Sequence, residues 1–185
     1  MDDGTFTRRH RTAPLAAVIV SVPGTIEAVR IDRVTVDGTD ATERIAAVLE
    51  GSGHLEGVRA ILLDGVVVGG FNVIDLAALS RRLKRPLVAV TRRRPDLPAI
   101  RAALRKYFPR DAARRWRRLT ARPLFLVPTP GAPIFAACAG CTRAEAVALV
   151  RRTTLRGFWP EPLKVAHLVA SAAGAARSAR RRTNA

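Results

Sequence analysis

A chain of 185 residues and 20.0 kDa is the size of one domain and is long enough to bury a core of its own. Its 48% hydrophobic and 25% charged residues exclude collagen-like, disulfide-scaffold and wholly disordered classes, and no apolar run reaches the roughly 18–20 residues of a membrane helix. A formal charge of +17 points to an anionic partner, with phosphate the first candidate.

Arg8, Arg9 and Arg11 ahead of the apolar run Ala13 to Val22 imitate a secretory leader. Pro14 interrupts that run and no small-x-small cleavage site follows, so the expectation is a cytoplasmic protein. Leu15 to Val22 and the alternating stretch Ile26 to Val36 read as antiparallel strands joined by a turn at Pro23-Gly24. From Asp40 the apolar period becomes helical, with Ile45, Val48 and Leu49 on one face and Gly51 and Gly53 ending the helix. Val58 to Leu63 is a wholly apolar run of the kind that forms a strand buried on both faces. A helix over Asn72 to Leu83 leads to a second buried strand, Pro86 to Val90, so the two strands are expected to be parallel with a right-handed crossover. Helices over Asp96 to Phe108 and Asp111 to Leu119, a short strand over Leu124 to Val127, and helices over Thr142 to Arg152 and Glu161 to Ala173 complete the chain. The expected fold is an α/β domain over residues 1–176, with antiparallel N-terminal strands followed by parallel ones in a mixed sheet flanked by helices, and a basic flexible tail over 177–185.

Charge is segregated along this order. Residues 1–80 carry 7 basic and 11 acidic side chains, residues 81–122 carry 16 and 2, and residues 123–185 carry 9 and 2. An acidic first part folded against a basic second part can set a carboxylate cluster in a basic groove. Asp64 ends the apolar run at the carboxyl edge of a predicted central strand, where open α/β sheets bind ligands, although Asp64-Gly65 is equally a common turn pair. A second acidic group, Asp37-Gly38-Thr39-Asp40-Ala41-Thr42-Glu43, opens the first helix, and Asp40 with Glu43 also fits a capping box. A third, Asp2-Asp3-Gly4, lies at the start of the chain. Cys138 and Cys141 supply only two of the four ligands of a structural zinc site and read as small packed residues.

Taken together, Val36 to Glu43, Leu62-Leu63-Asp64-Gly65, Gly69-Gly70-Phe71-Asn72, Arg85 to Arg92, Pro123 to Val127 and Pro160 to His167 resemble the endonuclease V superfamily, in particular its smaller branch to which endonuclease dU belongs. The similarity runs from about residue 2 to residue 173. It implies an RNase-H-like fold with three carboxylates binding Mg²⁺ or Mn²⁺. By motif, Asp2 corresponds to the first-strand carboxylate with Asp3 as the competing choice, Glu43 to the helix-borne glutamate with Asp40 kept as an alternative, and Asp64 to the central-strand aspartate. Arg92 stands where the family has a lysine near the scissile phosphate. Asp75 is a candidate supporting acid. Three departures stand beside the match: the strand before Asp2 is short, Thr129-Pro130-Gly131-Ala132 lacks the family's late histidine, and no aromatic-proline wedge precedes Gly38.

The resemblance implies a metal-dependent endonuclease for DNA containing a deaminated base, deoxyuridine ahead of deoxyinosine, in DNA repair. Asp2, Glu43 and Asp64 would bind metal while Arg92, Arg93, Arg94, Arg114 and Arg115 hold the backbone of DNA, single-stranded or damaged duplex, with RNA a further candidate. Phe71, Trp116 and Trp159 are candidate stacking aromatics, and His167 reads as a packed or surface histidine. The alternative is a nucleic-acid-binding protein of the same fold without nuclease activity, and a redox role for the Cys138/Cys141 pair is a third class.

Overall fold

The computed structural model describes residues 1–6, 10–22 and 24–183; Arg8, Arg9, Pro23 and the last two residues of the basic tail lie outside the described residues. Three antiparallel strands start the fold: β1 (Asp2–Asp3), β2 (Thr12–Ser21) and β3 (Thr25–Thr35), in the order β1-β2-β3. The helix α1 (Ala41–Glu50) follows, and its Ile45, Ala46 and Leu49 are buried. The strand β4 (Ile61–Asp64) comes next, and a small ribbon of β5 (Val67–Val68) and β6 (Asn72–Val73) leads into α2 (Leu76–Leu83). Then come β7 (Leu87–Thr91), α3 (Leu97–Tyr107), α4 (Ala112–Thr120), β8 (Phe125–Val127), β9 (Ile134–Ala139), α5 (Arg143–Thr153) and α6 (Glu161–Thr183).

A second sheet runs β4-β7-β9-β8, and Met1 stitches the two sheets together. The Met1 main-chain nitrogen donates to Leu62 O at 2.7 Å and Met1 O accepts from Asp64 N at 3.1 Å, a parallel ladder pattern around Leu63. The result is an RNase-H-like mixed sheet flanked by helices. The apolar runs behave as strands buried on both faces should. Ile61, Leu63, Leu87 and Ala89 point into one core with α1 and α2, while Leu62, Val88 and Val90 point into the other with Val150, Trp159 and Leu163. No helix among the described residues is long and apolar enough to cross a membrane.

The parallel crossover is present, β4 beside β7. The expected strands β4, β7 and β8 run in one direction, but β9 enters between β7 and β8 and pairs antiparallel with both. This central strand, Ile134-Phe135-Ala136-Ala137-Cys138-Ala139, has no sequence expectation behind it because alanine is a poor strand former. Its small side chains are what close packing against α2 demands: a Cβ on Gly140, just after it, would collide with Ser80 Oγ. Two boundaries also move. The strand expected from Val58 starts at Ile61, and the helix expected from Asn72 starts at Leu76, since Asp75 caps it by accepting from Ala78 N at 2.9 Å. The last helix continues past Ala173 to Thr183, so helical backbone occupies most of the segment expected as a flexible tail.

Candidate active site

Asp64 is the first residue of β4 to emerge from the two cores, and Gly65 turns the chain away with φ of +80°. The Met1 ladder sets Asp2 beside it. Asp2 is 4% exposed, its Oδ1 accepting the Asp3 N–H at 2.8 Å and its Oδ2 lying 2.8 Å from His167 Nδ1. Asp3 points to the opposite face of β1, where its Oδ2 accepts from Gly69 N at 2.6 Å. A Cβ on Gly4 would overlap the Ala170 carbonyl, so α6 packs directly on the end of β1 and carries His167 to Asp2.

The electrostatics follow from this crowding. Burial pushes the Asp64 carboxyl up to about 6, the Asp2 charge pushes the same way, and the Arg92 guanidinium opposes both. Burial likewise raises Asp3, against the Gly69 N–H, with Asp2 adding repulsion. Arg92 stacks on Trp159, its guanidinium carbon 4.7 Å from the ring centre. Asp64, raised by burial and by the Asp2 charge, lies within reach of the Met1 amino group and the Arg92 guanidinium, and carboxylate oxygens of this kind are those Mg²⁺ takes through one or two carboxylates plus substrate phosphate. The Asp2 and Asp64 pair therefore fits such a cation, whereas the Asp3 carboxylate is turned to Gly69 N.

Glu43 does not join them. It lies on the exposed side of α1, where its carboxylate ion-pairs with Arg82, which also donates to Glu50 at 2.7 Å. Asp40, the alternative, is turned back onto Asn72 Nδ2 at 2.6 Å and the Thr35 N–H and hydroxyl, which hold its carboxyl below the ordinary range despite burial. It forms no side-chain cap, so the capping box is also absent. Among the described residues no group of three or more His, Cys, Asp or Glu side chains stands together in a form that could hold a metal ion. Asp75 is spent on its cap, 3.7 Å from Arg118.

The expected backbone-holding arginines divide. Arg93 and Arg94 are exposed in the turn after β7, and Arg114 is half-exposed while paired with Asp111 at 2.9 Å. Arg115 is corrected: it is 6% exposed and donates to the carbonyls of Asp37, Gly38 and Phe71 and to the Asp111 carboxylate. Its guanidinium also lies 4.3 Å from the Phe108 ring centre, so it ties α4 to the 37–38 turn and has no free face for a phosphate. Of the aromatics, Trp159 is 3% exposed in the core under Arg92, Phe71 packs edge-on to Phe108 at 5.6 Å, and Trp116 lies under Arg101. Cys138 Sγ donates to Cys141 O at 3.6 Å, and burial first and Cys138 second push the Cys141 thiol up to about 11, which makes a reactive thiolate unavailable at neutral pH.

His167 is the site residue that composition and spacing did not single out. A signal was present: it stands four residues after Leu163 and three before Ala170, both fully buried, which puts it at the rim of the inward face of α6.

A family model described as Endonuclease dU matches residues 1–174. A UPF0215 protein of Methanothermobacter thermautotrophicus is 38% identical over 172 residues, covering 92% of this chain and 84% of its own. A crystal structure of a protein of unknown function from Archaeoglobus fulgidus superposes with a TM-score of 0.82 at 30% identity, covering 92% of this chain and 94% of its own. Endonuclease V of Ciona intestinalis, crystallised with a 24mer DNA containing an inosine followed by a ribo-adenosine, superposes at 0.59 with 16% identity over 89% of this chain and 80% of its own.

Proposed function

Because the chain belongs to the endonuclease dU family, we propose that it is a cytoplasmic, metal-dependent endonuclease that hydrolyses a phosphodiester in DNA beside a deaminated base, deoxyuridine ahead of deoxyinosine, as a repair activity. The observation that carries this reading is the juxtaposition of Asp64 and buried Asp2 at the sheet edge, with His167 on one side and Arg92 on the other. The deoxyuridine preference rests on the family description, and the DNA partner is supported by the +17 charge and by the DNA-bound Ciona neighbour.

Asp2 and Asp64 would hold Mg²⁺ or Mn²⁺. Bound there, the ion would acidify an attacking water and offset charge on the leaving oxygen. His167 fixes the orientation of the Asp2 carboxylate through the 2.8 Å contact, leaving lone pairs on both oxygens for a cation. Arg92, its guanidinium carbon 4.7 Å from the Trp159 ring centre, presents its guanidinium to a phosphate and balances charge that builds in the transition state. Arg93 and Arg94 in the same turn extend that positive edge. Base readout requires an extruded or unpaired nucleotide, because the edge that distinguishes uracil is hidden in a duplex.

The test is end-labelled single-stranded and duplex oligonucleotides with one deoxyuridine, one deoxyinosine or neither, incubated with Mg²⁺, Mn²⁺ or EDTA, beside Asp64→Asn. Metal-dependent nicking at a modified base, lost in the variant, supports the reading. The displacement of Glu43 from the carboxylate pair favours a second reading, a nucleic-acid-binding protein without nuclease activity; tight DNA binding with no cleavage in any metal selects it.

A further inference from the structure

The edge that carries Asp64 does not end at Arg92. Thr91 pairs with Phe135 and Val127 with Ile134, so the loop 128–133 between β8 and β9 leaves the sheet at the same edge as Arg92. Gly131 N donates to Gly157 O at 3.1 Å, and a Cβ on Gly131 would stand 3.0 Å from the Gly157 carbonyl carbon, so this loop abuts the segment leading into α6. That segment holds Trp159 under Arg92 and, beside it, Phe158, which is 37% exposed with its ring edge-on at 6.4 Å. An open groove of about 540 Å³ is lined by Pro128, Thr129 and Pro130 of this loop and by Arg151 and Arg152.

The two arginines have no carboxylate to neutralise them among the described residues. Residues 123–185 contain only two acids. Glu145 is engaged in the capping box of Thr142, and Glu161 is paired with Lys164 at 2.6 Å. Arg151 and Arg152 are both exposed at the last turn of α5, next to a wall of proline and threonine that is neither acidic nor bulky.

We propose that the groove between residues 128–130 and Arg151–Arg152 is a subsite for the DNA strand flanking the scissile phosphate, with the two guanidiniums holding successive phosphates and Phe158 offering its exposed ring to an unpaired base on the way from Arg92 to the groove. The inference deepens the nuclease reading and rests on it for the location of the scissile phosphate. It does not rest on turnover: occupation of the groove is a binding property of the strand. Arginine is suited to this task because its planar fork pairs two-to-two with phosphate oxygens. An arginine pair at a helix C-terminus also complements the helix dipole, and that role alone couples to no strand.

The experiment separates the two. Affinity of the Asp64→Asn protein for a fluorescein-labelled dT12 strand is measured by anisotropy in EDTA across a salt series. The measurement is repeated with Arg151→Ala/Arg152→Ala added and, as a charge-matched control, with Arg59→Ala/Arg81→Ala. Losing two phosphate contacts to a single strand lowers the slope of log affinity against log salt by roughly 1.4 and affinity by at least about tenfold, while the control keeps the parent slope. A 5-iodouracil strand should crosslink to peptides containing Phe158 or residues 128–130. Equal slopes for the groove variant and the control, or equal losses in both, overturn the subsite. Absence of nicking by the wild-type chain, with the slope difference intact, overturns the nuclease reading and leaves the strand-binding groove standing.

Discussion

Arg115→Met keeps most of the aliphatic stem and removes the guanidinium from a place water reaches poorly. In the folded protein that group satisfies three main-chain carbonyls, Asp37 O and Gly38 O at 2.9 Å and Phe71 O at 2.5 Å, and neutralises Asp111 at 3.0 Å. Each bond to a charged donor contributes about 1.5–3 kcal/mol, but they share one side chain and do not add, and Asp111 is partly exposed and keeps Arg114, so the appropriate scale is about 1.5–3 kcal/mol. For a chain of this size, one kcal/mol moves the thermal midpoint by roughly 2–4 °C, so a drop of about 3–12 °C is expected. Thermal unfolding followed by far-ultraviolet circular dichroism, with a urea titration beside it, measures the change. Arg115→Lys should recover little of the loss, since an ammonium cannot span three carbonyls and a carboxylate at once. Arg114→Ala, which removes a half-exposed partner of the same aspartate, should cost less than about 1 kcal/mol. A midpoint for Arg115→Met within about 2 °C of the wild type would refute the tether and return Arg115 to the surface.

Asp64 titrates about 6 in the folded chain against 3.8 as the ordinary value, so between those values the folded state holds more proton than the unfolded state. Stability therefore falls as pH rises through that window; Asp64→Asn should be more stable than the wild type at pH 7.5, and the gap should shrink toward pH 4 or on adding Mg²⁺, read from urea midpoints. Glu43→Gln should leave nicking within about threefold of the wild type because Glu43 faces Arg82 rather than Asp64, whereas Asp64→Asn should lower it by a factor of about 10³ or more in the same assay. Gly4→Ala drives a methyl into the Ala170 carbonyl, which backbone cannot relieve; a loss of about 1–3 kcal/mol with weakened nicking is expected, and undiminished activity would break the proposed link between α6 and Asp2. Cys141, with its thiol pushed up to about 11, should react with a thiol reagent at pH 7.5 much more slowly than after denaturation; equal rates would reopen a redox role.

Local pattern was enough for the elements whose signal is local. The period change at Asp40, the wholly apolar runs ending at Leu63 and Val90 and the parallel crossover between them can all be read along the chain, because burial on one face or two writes itself into residue spacing. Asp64 at the end of β4 belongs to the same class, since an acid after three buried aliphatics must mark where the strand leaves the core. The family motifs added the RNase-H-like arrangement that periodicity alone does not specify.

Tertiary structure decided what depends on partners distant in sequence. β9 is a strand because β7 and β8 pair with it on both sides, a partnership that no propensity in Ile134 to Ala139 expresses. Glu43 and Arg115 carry the residue types of a ligand and a phosphate holder, yet Arg82 and the carbonyls of Asp37, Gly38 and Phe71 claim them first. His167 meets Asp2 only because α6 crosses the end of β1 at Gly4. Charge and hydrogen-bonding capacity are properties of single residues and are visible in the sequence; which partner satisfies them is a property of distance, and only the folded chain sets that.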